Sequence, residues 1–83
     1  MLIDVRTAEE YAEGHLEGAI NVELAEDMAT KLPTEAKGQT LELYCRSGGR
    51  AGAAAQLLTQ DGYQVKNIGG IDDLVAEGYS KAE

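Results

Sequence analysis

One cysteine, one histidine and one proline occur in the whole chain, and tryptophan and phenylalanine are absent. A single cysteine, Cys45, excludes an intramolecular disulfide, and neither a Cys cluster nor a Cys-x-x-Cys spacing exists. With one histidine beside it, the chain lacks the ligands for a structural zinc site, so no metal is expected. A lone thiol leaves the redox compartment open. No apolar run approaches the roughly 20 residues that span a bilayer, and no signal-peptide pattern opens the sequence. Basic residues are also scarce: seven Lys and Arg stand against fifteen Asp and Glu, for a net charge of −8. Such a surface repels phosphates rather than neutralising them, which argues against nucleic acid and anionic membrane as partners.

What remains is a core of Leu, Val, Ile and Ala with four tyrosines. In 83 residues this is enough for thin layers around one sheet, so residues 1–83 are expected to form a single domain. Leu2-Ile3-Asp4-Val5 is a short buried-strand pattern, and the chain opens inside it. Removal of a preceding segment fits this start. The sequence leaves the compartment open, with periplasm expected if a signal peptide was removed and cytoplasm otherwise. Thr7 stands three residues before Glu10, a capping box that predicts a helix over 8–13. Residues 19–22 read as an extended segment, 24–31 as a helix ended by Pro33, and 34–39 as a polar loop.

Leu41-Glu42-Leu43-Tyr44 predicts a strand running straight into Cys45. Ala54, Leu57 and Leu58 mark one face of a helix over 50–60, with Asp61-Gly62 as its stop. A strand over 64–68, a Gly69-Gly70 turn and a short helix over 71–77 complete the chain. Strands alternating with helices predict an α/β fold with a small, mainly parallel sheet flanked by helices.

The stretch Cys45-Arg46-Ser47-Gly48-Gly49-Arg50 carries the chemistry. It lies at the carboxyl end of a strand, the edge where open α/β sheets bind ligands. Gly48 and Gly49 permit a tight loop with uncovered backbone. A loop that feeds a helix N-terminus aims N–H groups at one point and favours an anion there. The same field stabilises a thiolate, so Cys45 is expected below the value of about 8.5 of a free cysteine. Arg46 and Arg50 add to this if they point inward, and could bind an oxyanion. The plainer reading makes Cys45 a small buried apolar residue, but such a residue has no need of a Gly-Gly turn and two arginines. His15 in its Gly-rich turn is expected to orient backbone, Asp4 and Arg6 to form a structural ion pair, and Glu23, Glu26 and Asp27 to line a solvated helix face. No sequence neighbour of Cys45 supplies a general base, and a thiolate made by the loop requires none.

These blocks resemble the rhodanese family. Leu2-Ile3-Asp4-Val5-Arg6, Glu9-Glu10-Tyr11 and residues 14–21 (Gly-His-Leu-Glu-Gly-Ala-Ile-Asn) are similar to the opening of such domains. Residues 45–50 are similar to their Cys-x-x-Gly-x-Arg loop, and Gly62-Tyr63 through Ile71 to their closing segment. The resemblance implies an N-terminally shortened rhodanese-like fold of the phage-shock protein E type. It implies a thiosulfate sulfurtransferase that needs no cofactor beyond a persulfide formed on Cys45. By that resemblance Cys45 is the nucleophile, the backbone of Arg46, Ser47, Gly48, Gly49 and Arg50 cradles the transferred sulfur, and the two arginines attract the donor. The implied partners are thiosulfate and a cyanide or thiol acceptor, and the chain is expected to be monomeric. Ala51 stands where the family often has Ser or Thr, which removes a hydroxyl that would stiffen the loop.

Three other readings compete. A phosphatase of the Cys-x5-Arg kind needs five residues between Cys and Arg; here there are four, so no significant phosphatase activity is expected. A binding module without chemistry, or a persulfide relay fed by a protein donor, would share the fold.

Overall fold

In the computed structural model, which describes residues 1–82, four parallel strands build the main sheet in the order β3-β1-β4-β5. They are β1 (Leu2–Asp4), β3 (Ile20–Asn21), β4 (Thr40–Cys45) and β5 (Gln64–Gly70). The helices are α1 (Ala8–Glu13), α2 (Gly49–Gln60) and α3 (Ile71–Ala76). The expected capping box opens α1: the Thr7 hydroxyl accepts the Glu10 N–H, and the Glu10 carboxylate accepts the Thr7 N–H. Gly62, with φ of +91°, follows α2 as expected. No helix among the described residues is long and apolar enough to cross a membrane.

The period of two along β4 sorts the core into two layers. Leu41, Leu43 and Cys45 join Ile3, Val5, Ala51, Ala54 and Leu58 on the α2 side. Tyr44 points the other way, to Leu16, Ala19, Ile71 and Leu74. On the Tyr44 side of the sheet lies the buried group Asp4–Arg6–Tyr44. The Arg6 Nη2 donates to Asp4 at 2.7 Å, and the Tyr44 hydroxyl donates to the same carboxylate at 2.9 Å. Asp4 and Arg6 are thus the structural pair their spacing predicts.

The helix expected over 24–31 does not form. Val22 and Leu24 donate their N–H groups to the carbonyls of Asp4 and Val5, so this stretch is held extended beside the end of β1. The residues between Leu24 and Pro33 do not continue into an α-helix. They make a 3₁₀ turn, Met28–Lys31, that buries Met28. A second 3₁₀ turn, Thr34–Gly38, replaces the expected polar loop and buries Ala36. Glu23, Glu26 and Asp27 are exposed, as expected, but on irregular chain. Strand β2 (His15–Leu16), which pairs antiparallel with β6 (Lys81–Ala82), was not expected either. Two-residue strands leave no periodicity to read.

Candidate active site

Strand β4 delivers Cys45 to the carboxyl edge of the sheet, and residues 46–48 arch over it into α2. Gly48 caps that helix at φ +96°, a conformation that costs an L-residue about 1–2 kcal/mol. The arch turns backbone donors inward. The Gly48 N–H donates to Cys45 Sγ at 2.9 Å and the Ala51 N–H at 3.4 Å. Burial alone pushes the thiol up. The N–H groups of Ala51, Ser47, Gly48 and Arg50 outweigh it, and Cys45 lies below the ordinary thiol value. Cys45 is 1% exposed, as a plain buried cysteine would be, but a plain one would have no backbone donors converging on its sulfur.

The loop is held from both sides. On one side, Asn67 on β5 donates from Nδ2 to the Gly48 carbonyl at 3.0 Å, and its Oδ1 accepts the Gly69 N–H at 3.0 Å. A register shift between Leu43 and Tyr44 then sets Gly70 opposite Cys45. There the backbone of Arg46 packs so closely that a Cβ on Gly70 would overlap the Arg46 carbonyl. On the other side stands Glu10. Its carboxylate accepts from Arg50 Nη1 at 2.6 Å and Nη2 at 3.0 Å, and lies 3.6 Å from Arg46 Nε. The Arg50 hydrogen bonds are the main reason that Glu10 lies well below the usual carboxylate range.

The two loop arginines therefore differ. Arg50 is clamped, whereas the Arg46 side chain is 69% exposed and loosely held. Ser47 is exposed, and its hydroxyl makes no hydrogen bond among the described residues. Gly49 opens α2 with free space around its Cα. His15 lies off the loop: its ring stacks on Tyr11, with centroids 3.7 Å apart, and Nδ1 is 2.9 Å from the Tyr11 carbonyl. The sequence marks Glu10 as a helix cap and part of an opening block, and Asn67 and Gly70 as parts of a turn and closing segment, but none of them as a partner of the loop. Their contacts with the loop cross distant parts of the chain and leave no local pattern.

Residues 1–77 match the rhodanese-like domain. The chain belongs to the rhodanese-like domain family. Among curated relatives, the thiosulfate sulfurtransferase PspE of Escherichia coli is 41% identical over 76 residues, spanning 87% of this chain and 71% of that protein. A putative sulfurtransferase, YtwF of Bacillus subtilis, is 35% identical over 83% of this chain and 66% of its own length. Among solved structures, a rhodanese with anions from E. coli superposes with a TM-score of 0.79 at 35% identity, over 99% of this chain and 95% of that one. A rhodanese-related protein from Thermoplasma volcanium gives 0.83 at 27% identity, over 99% and 82%. The expected fold, a small mainly parallel rhodanese sheet flanked by helices, is the one observed. The kinship with PspE supports a sulfurtransferase activity that moves sulfur between a small donor and an acceptor.

Proposed function

We propose that the chain is a thiosulfate sulfurtransferase and that Cys45 carries the sulfur as a persulfide. The observation that carries this reading is the pair of backbone N–H groups, from Gly48 and Ala51, aimed at Sγ. The Cys45 thiolate attacks the outer sulfur of thiosulfate. The bond between the two donor sulfurs breaks, its electron pair leaves with sulfite, and a persulfide anion remains on Cys45. The same N–H groups that stabilise the thiolate also meet the negative charge on the added sulfur. Cyanide or a thiolate then attacks that outer sulfur, takes it, and returns the electron pair to Cys45. Charge and sulfur balance at each step, so no cofactor is required.

Within this reading the backbone of residues 46–50 forms the cradle. Arg46, exposed and loosely held, recruits the dianionic donor against the acidic background, and Arg50 is tied back to Glu10. Intact-mass measurement after incubation with thiosulfate tests the reading. The wild type is expected to gain one sulfur atom, Cys45→Ser none, and cyanide to remove the gain as thiocyanate. A folded wild type that gains no sulfur would overturn the thiosulfate reading in favour of a protein donor or a binding role.

A further inference from the structure

A cleft of about 200 Å³ opens beside the reactive loop, with Arg6, Glu10, Glu13, Arg46, Asp72 and Lys81 in its walls. Cys45 does not line it. The register that pairs Asp4 with Tyr44 sets Arg6 alongside the Cys45–Arg46 junction, so cleft and loop are neighbours across Arg46.

Arg6 is 5% exposed. Its Nε donates to Asp4, and its Nη2 to Asp4 and to the Gly14 carbonyl at 2.6 Å. Its Nη1 makes no hydrogen bond among the described residues. Among the described residues no fully buried side-chain nitrogen or oxygen lacks a partner, so Nη1 keeps some open surface, and Arg6 is one of the residues that line the cleft. A buried guanidinium with one unspent amino group is a built anchor for a carboxylate. Arg46 and Lys81 add positive charge around it. Glu10 is committed to Arg50, but Glu13 and Asp72 form no ion pair among the described residues. Both signs of charge therefore remain available within a space the size of a small metabolite.

We propose that this cleft is the acceptor subsite, built for a small zwitterionic thiol of the amino-acid type. The carboxylate docks on Arg6 Nη1 with Arg46 and Lys81, and the ammonium faces Glu13 and Asp72. This inference rests on the sulfur-transfer reading of Cys45. Sulfite leaves before the acceptor enters, so Arg46 serves donor and acceptor in turn. The acceptor thiolate reaches over Arg46 to the outer sulfur of the persulfide. A sulfur–sulfur bond forms on the acceptor, the bond to Cys45 Sγ breaks, and Cys45 regains its electron pair as the thiolate.

Four thiols that differ only in charge test the proposal: cysteine, 3-mercaptopropionate, cysteamine and 2-mercaptoethanol, compared per thiolate, with cyanide as the reference acceptor. Cysteine is expected to give the highest kcat/KM. Lys81→Ala and Asp72→Asn are each expected to lower the cysteine-to-cyanide ratio of kcat/KM by about fivefold. An order insensitive to charge, with cyanide still turning over, overturns the cleft assignment and spares the persulfide. Absence of thiocyanate formation in the wild type overturns the persulfide reading instead. The cleft is then decided by an NMR titration with unreactive S-methylcysteine. Shifts at the backbone N–H groups of Gly14, Asp72 and Lys81 support it, and their absence removes it.

Discussion

Glu10 and Arg50 lie 40 residues apart in the chain, yet Arg50 Nη1 donates to Glu10 Oε1 at 2.6 Å and Nη2 to Oε2 at 3.0 Å. The same carboxylate closes the capping box of α1. One side chain thus couples the start of the first helix to the start of the second, where the Cys45 loop ends. Of the two cations beside Cys45, this leaves Arg46 as the one able to move toward a ligand.

The loop arginines should therefore separate in kinetics. Arg46→Ala is expected to raise the thiosulfate KM by about fivefold, to weaken its salt dependence and to leave the melting temperature unchanged. Arg50→Ala is expected to lower both kcat and the melting temperature. Glu10→Gln should reproduce the Arg50 effect, and the double variant should be less than additive. Steady-state kinetics at two ionic strengths check this; equal KM changes in both arginine variants would contradict it.

The pH dependence follows from the cradle. Backbone donors favour the charged form of Cys45 in the folded state, so its folded pKa is depressed. The stability this contributes is full above the unfolded thiol value of about 8.5 and is lost as pH falls through the folded value. The acid limb of kcat/KM for the donor is expected to follow this depressed folded value and to lie below that of a free thiol. Thiolate ultraviolet absorbance, with Cys45→Ser as the blank, gives the titration. A midpoint at or above that of a free thiol would be inconsistent with the cradle.

Gly70 tests how the loop is seated. A Cβ there would overlap the Arg46 carbonyl and come within 3.0 Å of Ser47 Cα. Gly70→Ala is expected to cost about 1–3 kcal/mol, as overpacking does, and to displace the loop, lowering turnover with it. Gly38→Ala, with nothing within 4 Å of the added carbon, serves as the control and should leave both unchanged. Thermal melts and turnover rates measured together check the pair.

Tyr44→Phe isolates the buried network. The hydroxyl accepts the Leu16 N–H at 2.9 Å and donates to Asp4. Its loss leaves that N–H buried without an acceptor, at about 1–3 kcal/mol. A lower urea midpoint with an unchanged slope is expected. An unchanged midpoint would mean that water replaces the hydroxyl.

Much of this was readable from neighbouring residues. Thr7 and Glu10 announce a helix cap because a capping box closes within one turn. Cys45 to Arg50 announce a tight strand-to-helix loop with inward backbone N–H groups because the strand, the glycines and the helix are contiguous. The alternation of Leu41, Leu43 and Cys45 places the thiol on the α2 side because side chains alternate along a strand. The region 24–31 misled because its entry is tied to the end of β1, where the Leu24 N–H donates to the Val5 carbonyl, and tertiary pairing overrides local propensity.

The sequence alone thus determined the alternating strands and helices, the place of Cys45 at a strand end and the loop that surrounds it, all of which depend on short-range geometry. Only the tertiary structure decided what that loop touches. Glu10 clamps Arg50, Gly70 seats Arg46, and Asn67 holds the Gly48 carbonyl. Each of these contacts joins parts of the chain that meet only when the parallel sheet brings its strand ends to one edge.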